Sequence, residues 1–384
     1  MKKILLSAAT IATMTTMATA NTSSELATLK VQMAQMMKKI ETLESQQPSK
    51  DVVEVAAITP KKKGTLVKSK ASVLKFSGKH YLGFVSDNAG ADRTNAFETR
   101  RNYLQIKGYF AENSKDYFRI TLDTFHNTKD DGKDKGSWEV RLKYAYLYLD
   151  NVLPYTAVEI GQSHRPWIDY EEHHGWNYRS ISNAFIEEHA GPHFTNSSDL
   201  GVNFKTKTDY FSSELGIFNG EGYHGIEDGN GLSGEWRLTG HFLGTGKKHV
   251  HKHDTYADVS FFGQYNTDYK AKDNDFVWYG LHTVYNQPEF LLAAQYVKAS
   301  DGGEKVEGDG YSVNGEFRFA ENWNLLGRYD TFTLDKNDEE KERMLGGISY
   351  QYNKNIEFIA NYLKEEVANK TVTDAIMLSA EVNW

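Results

Sequence analysis

Cysteine is missing from the 384-residue sequence, so neither a disulfide framework nor a thiolate metal site can form. No stretch approaches the roughly 20 consecutive apolar residues that a membrane-spanning helix needs. Proline is scarce, at 6 residues, whereas the chain contains 31 glycines, 23 tyrosines and 20 phenylalanines. This aromatic-rich composition favours an all-β barrel of short-turned strands over a helical or a disulfide-stabilised protein.

Common catalytic patterns are also missing. The sequence has no G-x-S-x-G nucleophile elbow and no H-E-x-x-H zinc helix, and the run from Gly244 to Lys248 lacks the spacing and the hydroxyl of a phosphate-binding loop. We therefore predict neither an enzymatic reaction nor a cofactor. A Ser-His-acid set assembled from distant strands is the alternative, because such triads are defined by geometry. Nucleic-acid binding has no support, since the lysines are scattered and the net charge is −8.

The N-terminal segment has the pattern of an export signal. Lys2 and Lys3 precede an apolar run, and Ala18-Thr19-Ala20 provides a small-residue cleavage site. We predict a signal peptide over residues 1–20, with cleavage near Ala20. A β-barrel protein with a signal peptide is expected in the outer membrane of a Gram-negative bacterium, in contact with the lipid bilayer and lipopolysaccharide.

Residues 21–47 carry a heptad pattern. Apolar residues recur at alternating spacings of three and four, as at the a and d positions of a coiled coil: Leu26, Leu29, Met33, Met36, Ile40 and Leu43. We predict a short coiled-coil helix, with an amphipathic helix docked on its own barrel as the alternative. Pro48 ends the helix, and residues 48–70 are predicted to be a linker. The transmembrane barrel follows over residues 71–384.

The C-terminal strand alternates strictly in polarity. One face is apolar and consists of Ile376, Leu378, Ala380, Val382 and Trp384, whereas the intervening residues are mostly polar. A membrane barrel needs this arrangement, with lipid outside and water inside. The ending resembles the closing strand of bacterial outer-membrane barrels, whose final aromatic residue belongs to the signal read by the barrel-assembly machinery. This resemblance gives Trp384 the role of an assembly signal.

From residue 71 onward the chain divides into sixteen short alternating runs. The connections between them alternate between long and short, and the long ones span residues 86–96, 126–136, 164–197 and 220–231. One longer connection on the other side, residues 246–252, is an exception. Because an even count fits a single-chain bacterial barrel, we predict a 16-stranded antiparallel transmembrane β-barrel.

Alternation also assigns the side chains that face the lumen. On the first four strands these are mostly basic, with Asp123 and Glu139 as the acidic members. The basic wall, as we call it, consists of Lys75, Lys79, Arg101, Lys107, Arg119, Arg141 and Lys143. We predict that this contiguous group produces a local positive field, although any one residue could serve only to solvate a polar lumen.

The third long connection, at about residues 164–197, has the opposite character. Its acidic residues outnumber Arg165 and Arg179, and they are Asp169, Glu171, Glu172, Glu187 and Glu188. We predict a constriction loop that folds into the lumen and turns these acids towards the basic wall, so that the field orients passing solutes. The alternative is an external loop packed on the barrel rim.

Three segments resemble the phosphate-selective porin O and P family. They are Glu159-Ile160-Gly161-Gln162 followed by Pro166 and Glu171, Arg100-Arg101-Asn102-Tyr103-Leu104 with Lys107-Gly108, and the run from Gly216 to Gly222. The resemblance covers most of residues 71–384 and implies a homotrimer of sixteen-stranded barrels. Phosphate-selective members use an arginine ladder and a lysine cluster, which only Arg100, Arg101 and Lys107 match by position. Parity lets only Arg101 and Lys107 face the lumen together, and the acidic third loop departs from the family pattern.

Three histidines alternate in one connection. His249, His251 and His253 would share one side of an extended segment, where they could bind Zn, Ni or Cu. A solvated turn is the alternative, and we predict no metal site.

The patterns predict an outer-membrane porin that allows small hydrophilic solutes and ions to diffuse passively, with weak selectivity for anions. Two alternatives stay open: an outer-membrane barrel enzyme of the lipase or protease type, and a non-conducting structural anchor.

Overall fold

The computed structural model describes residue 38 and the ranges 73–90, 93–127, 136–223, 225, 231–269, 274–302 and 306–384. The chain divides into two compact units, Met1–Val67 and Lys68–Trp384, and the second contains the barrel. The signal peptide, coiled-coil helix and linker predicted over residues 1–70 lie outside the described residues, apart from Lys38, and stay predictions. Within the described ranges, no helix is both long enough and apolar enough to cross a bilayer.

Sixteen antiparallel strands form one closed barrel, in which neighbours in sequence are paired and β1 pairs with β16. The prediction of a 16-stranded antiparallel β-barrel is confirmed, and each predicted run overlaps one strand. The strands are β1 (Val73–Asp87), β2 (Thr94–Tyr109), β3 (Tyr117–His126), β4 (Trp138–Leu153), β5 (Thr156–His164), β6 (Ser198–Lys207), β7 (Phe211–Phe218), β8 (Ser233–His241), β9 (Tyr256–Asn266), β10 (Phe276–Gln287), β11 (Phe290–Asp301), β12 (Gly308–Ala320), β13 (Trp323–Leu334), β14 (Glu339–Asn353), β15 (Ile356–Val367) and β16 (Lys370–Asn383).

The two faces of the strands differ as the alternation predicts. On β16, Ile376 and Leu378 are 54% and 51% exposed on the outside of the barrel, whereas Met377 and Ser379 are buried on the inside. The same contrast recurs on β9, where Phe261 is exposed and Gln264 is buried. Because lipid surrounds such a barrel, apolar outward side chains are stable there.

The C-terminal residue closes the barrel seam. The backbones of Trp384 and Gly78 exchange two hydrogen bonds, at 2.8 and 3.0 Å. The Trp384 ring covers Gly78, where a Cβ atom would lie 2.4 Å from the indole. The indole also stacks on His80, with the Nε1 and Nε2 atoms 2.9 Å apart. Trp384 therefore joins the last strand to the first through backbone and ring contacts.

We expect substitution of Trp384 by serine to reduce the yield of folded barrels and trimers while leaving export intact. The variant loses the ring contacts with Gly78 and His80 as well as the predicted terminal signal. Heat-modifiable migration on gels measures the folded fraction, and removal of the N-terminal segment measures export. Trp138→Ser is the matched control, because Trp138 is equally exposed, at 53%, but begins β4 far from the seam. A normal trimer yield for Trp384→Ser would contradict this role.

Candidate functional site in the barrel lumen

The third long connection, residues 165–197, folds into the barrel. It contains α1 (Ile168–His174) and a short 3-10 helix (Phe185–Glu187). Trp167 stacks on Phe262 of β9, with ring centroids 3.6 Å apart, and Phe194 packs against Phe332 of β13. These contacts belong to one buried apolar cluster on the inner face of the barrel. The loop is thus held inside by burial of apolar surface.

A second apolar cluster holds the following part of the loop. Trp176 and Ile181 pack with Leu345 of β14 and Met377 of β16. The inner faces of β9–β16 are therefore covered by the loop along most of their circumference. The alternative of an external loop packed on the rim is wrong, because the apolar residues of the loop are buried against inward-facing side chains.

A cavity of about 1120 Å³ remains on the other side of the lumen. Its lining comes from β1–β8, the third loop, the turn after β8 and the C-terminal residues, and includes eleven lysines and arginines but only five aspartates and glutamates. Since the loop fills the side of β9–β16, solutes that enter the lumen meet this basic lining. The electrostatic field in the cavity is positive on balance.

The basic wall is divided between this cavity and the constriction. Lys79, Lys107, Arg119 and Lys143 line the cavity. Arg101 instead donates to Asn183 of the loop at 3.3 Å. The remaining two are placed differently again: Arg141 is paired with Asp123 at 3.0 Å, and Lys75 lies over the ring of Tyr109. The predicted wall therefore faces the lumen, but only part of it lines the open space.

A β-bulge changes one predicted orientation. The pairing of β1 with β2 shifts between Tyr81 and Leu82, which leaves Arg100 without an opposite residue. Arg100 consequently turns inward, where it donates to the Ser180 carbonyl at 3.0 Å and to Glu98 at 2.8 Å. The prediction that Arg100 and Arg101 cannot both face the lumen is wrong, because parity reverses across a bulge.

A second bulge lies opposite the loop. The pairing of β3 with β4 shifts so that Lys143 has no opposite residue. The Lys143 carbonyl accepts hydrogen bonds from Gln162 at 2.9 Å and from Ser198 at 2.7 Å. Its ammonium group donates to the Tyr103 hydroxyl at 2.6 Å. At the bulge, the Lys143 ammonium group is thus directed towards the constriction, and the Lys143 carbonyl remains hydrogen-bonded.

Arginines neutralise most of the acids in the loop. Arg179 contacts both Glu172 and Glu187. Arg343 of β14 lies 3.2 Å from Glu188. Asp169 lies 3.7 Å from His164 at the end of β5 and 3.8 Å from His173. Glu172, Glu187 and Glu188 are therefore paired with arginines. Asp169, whose neighbours are histidines, lines the same cavity as Lys107 and Arg119, and the predicted field across the lumen stays a prediction.

Glu171 faces away from the basic wall altogether. Its carboxylate accepts hydrogen bonds from the Trp167 indole, the Phe185 amide and the Gln295 side chain, at 2.8, 3.2 and 2.7 Å. Burial against the β11 side raises the pKa of this carboxyl to about 7, even though nearby Arg328 and the three donors favour the ionised form. The role predicted for Glu171 in the constriction is wrong, and the residue instead joins the loop to the barrel wall.

A further charged set lies on β5–β8. Lys205 lies 3.4 Å from Glu159 and 3.3 Å from Glu214, and Arg237 donates to Glu214 at 3.1 Å. All four have the inward parity of their strands, so the alternation of polar and apolar residues in the sequence is a signal that identifies them. Their mutual pairing leaves little net charge on this part of the wall.

The three alternating histidines do not converge. The connection between β8 and β9 folds as successive turns rather than as an extended segment, so the parity of His249, His251 and His253 is lost. In the described part of the chain, no group of three histidine, cysteine, aspartate or glutamate side chains could hold a metal ion. Lys252 from the same connection enters the lumen, where it lies 2.9 Å from Glu316 and 3.0 Å from the Tyr178 hydroxyl of the third loop.

We expect the seating of the third loop to weaken as the pH rises. The pKa of Glu171 is raised from 4.5 to about 7, so its stabilising effect is complete below pH 4.5 and is lost as the pH passes 7. The loss amounts to about 3 kcal/mol at most, at 1.36 kcal/mol per pKa unit. The free energy of unfolding, measured with denaturant in micelles between pH 4 and 8, should fall by this amount.

Two variants test this assignment. Glu171→Gln cannot ionise, so it should flatten the pH dependence relative to the wild type. Asp209→Asn, at an exposed ion pair with Lys247, should leave the dependence unchanged. Equal slopes for the wild type and Glu171→Gln would refute the pKa assignment.

The fold is similar to solved outer-membrane proteins. OmpF of Salmonella typhi, solved in complex with daunomycin, has a TM-score of 0.58 at 16% sequence identity, over 83% of this chain and 99% of that one. OmpT of Vibrio cholerae, an outer-membrane protein, has a TM-score of 0.56 at 12% identity, over 83% and 99%. The anion-selective porin of Comamonas acidovorans has a TM-score of 0.53 at 12% identity, over 81% and 98%.

No family model matches the sequence, and no curated protein matches it. At identities of 12–16%, the structural likeness concerns the fold alone. The chain has the sixteen-stranded barrel fold of Gram-negative outer-membrane porins.

Proposed function

We propose that this protein is an outer-membrane channel through which small hydrophilic solutes and ions diffuse passively, with a weak preference for anions. The cavity carries the proposal: the third loop closes off one side of the lumen, and the open side is lined by more than twice as many cations as anions. Ion selectivity in a pore follows from such charged linings. Diffusion down a gradient requires neither a reaction nor a cofactor.

The same proposal includes its cellular setting. We infer export by the N-terminal signal, insertion by the barrel-assembly machinery and association into homotrimers in a lipopolysaccharide-containing outer membrane. The trimer form recorded for Vibrio cholerae OmpT, which shares the fold, supports association. Phosphate selectivity receives no support. Of the three residues that match the family pattern by position, Arg100 and Arg101 are engaged by the third loop, and only Lys107 lines the cavity.

Planar-bilayer recording tests the channel. Purified protein should give discrete conductance steps, and in a salt gradient the reversal potential should have the sign of weak anion selectivity. Replacing both Arg101 and Arg119 by glutamine should move the reversal potential towards zero, because two cations at the constriction and the cavity are removed. Lys298→Gln, on the outer face beside Asp309, is the control and should have no effect.

The outcomes separate the alternatives. Absence of conductance would favour the structural anchor and contradict transport. Conductance with unchanged selectivity in the double variant would keep the channel but refute the contribution of the basic wall.

A hydrolase is the second candidate, because three side chains on adjacent strands have the order of a catalytic triad. Ser212 Oγ lies 2.8 Å from His241 Nε2, and His241 Nδ1 lies 2.8 Å from Asp258. However, Ser212 is only 3% exposed, and the Arg237 guanidinium donates to its Oγ at 3.0 Å. That hydrogen bond occupies one of the two lone pairs of the hydroxyl oxygen, and burial restricts access to the other. The arrangement therefore favours a structural hydrogen-bond chain.

We expect a serine-directed fluorophosphonate probe to leave the folded barrel unlabelled, because the Ser212 hydroxyl is buried and engaged. In-gel fluorescence measures labelling, with a soluble serine hydrolase as the positive control for the probe. Labelling of the wild type that disappears in Ser212→Ala would support the hydrolase instead.

A further inference from the structure

Tyrosines form a row across three neighbouring strands at the short-turn end of the cavity. Tyr109 of β2 is directly opposite Tyr117 of β3, which is directly opposite Tyr148 of β4. The rings of Tyr117 and Tyr148 are stacked, with centroids 4.8 Å apart, and Tyr109 lies 5.4 Å from Tyr117. All three are half-buried, in contrast to the buried Tyr144 and Tyr146 further along the wall. We call these three residues the tyrosine row.

Cations occupy the next inward positions on the same sheet. Lys75 of β1 is opposite Lys107 of β2, which is opposite Arg119 of β3. This cation row lies two residues from the tyrosine row, or about 7 Å along the strands. Lys107 lies 4.6 Å from the ring centroid of Tyr117, and Lys75 lies 4.9 Å from that of Tyr109. The tyrosine row is therefore about 10 Å wide and is bordered by three positive charges, two of which lie over its rings.

Of the acidic residues near the two rows, only Asp169 of the third loop interacts with Lys107 and Arg119 without a lysine or arginine partner of its own. Asp150, next to Tyr148, lies 3.4 Å from Lys115, and Glu159 is paired with Lys205. Three cations thus face this one carboxylate, which leaves the cation row a positive balance for an anionic solute. Because the third loop fills the opposite side of the lumen, a solute in the cavity passes along these rows.

The chemistry of the two rows specifies a class of ligand. The ring surface that remains outside the Tyr117–Tyr148 stack is apolar, and the tyrosine hydroxyls both donate and accept hydrogen bonds. The flat C–H faces and hydroxyls of a sugar ring match those properties, and a carboxylate on the sugar matches the cation row. Inorganic phosphate matches only the cations, and a neutral sugar matches only the tyrosines.

We propose that the tyrosine row and the cation row together bind carboxylate-bearing sugars, and that this channel therefore favours acidic oligosaccharides among anionic solutes. The inference rests on the proposed channel, since passage through the lumen brings solutes to the rows. Binding of moderate strength suits transport, because a permeating solute must also leave.

Solute block of single channels tests the inference. Trigalacturonate should reduce the ion current with a half-blocking concentration about tenfold below that of maltotriose, a factor that corresponds to about 1.4 kcal/mol. Inorganic phosphate at equal charge should produce no discrete block. Equal effects of trigalacturonate and phosphate would mean that only charge is recognised, and would overturn the proposal. Equal half-blocking concentrations of trigalacturonate and maltotriose would mean that the cation row does not contribute to binding, and would also overturn the proposal.

Matched variants separate ring, hydroxyl and charge. Tyr117→Leu and Lys107→Gln should each weaken trigalacturonate block by about fivefold to tenfold. Tyr117→Phe retains the ring and should have a smaller effect. Tyr311→Leu, on the outer face of β12, is the control. If Tyr117→Leu does not fold, Tyr109→Leu replaces it. Wild-type block in both leucine variants would refute the tyrosine row.

Calorimetric titration of the micellar barrel with trigalacturonate keeps the test independent of conductance. Conductance without saccharide block or calorimetric binding would overturn the sugar site and leave the channel intact. Absence of conductance with binding retained would overturn the channel and leave the sugar site. Absence of both would overturn both.

Discussion

The whole structure depends on the need to satisfy every backbone hydrogen bond inside a bilayer. Only a sheet whose last strand pairs with its first achieves this, because an open edge would leave N–H and C=O groups in lipid. Here β1 and β16 provide that closure, and the Trp384 backbone extends the pairing to Gly78. Closure fixes the direction of every side chain, outward to lipid or inward to the lumen. The lumen of a sixteen-stranded barrel is too wide for its own side chains to fill, so another segment has to narrow it.

That segment creates an asymmetric channel. The third loop is held against β9–β16 by stacked rings such as Trp167 on Phe262, while the open side keeps its lysines, arginines and tyrosines. Arg179 supports the loop from within by neutralising Glu172 and Glu187, which would otherwise be buried without partners. The constriction is therefore shaped by apolar packing on one side and charged by the basic wall on the other. The loop itself contributes little unpaired charge.

The sequence predicted the strand number and most side-chain directions, because both follow from a period of two. It did not predict the inward turn of Arg100, or that Tyr144 next to the inward Lys143 also faces the lumen, since a bulge depends on which residues pair across strands. It also missed that Glu171 is buried against Gln295, a contact between positions far apart in the chain. Ion pairs and the orientation of the loop depend on contacts between residues that are distant in the chain. The alternation along a single strand carries no information about such contacts.

The part of the barrel wall that contacts the third loop can nevertheless be recognised in the sequence. A strand between lipid and a water-filled lumen should be apolar at one parity only. On β9, however, Phe261 faces outward and Phe262 is fully buried inside, and on β10 Trp278 is buried next to the outward Tyr279. Apolar residues at both parities mean that the inner face meets protein rather than water. Such runs are most frequent on β9–β16, with Ile217 and Phe218 of β7 as an exception. A strand-by-strand comparison of parities thus indicates the wall that receives the loop, and leaves β1–β8 as the side along which solutes pass.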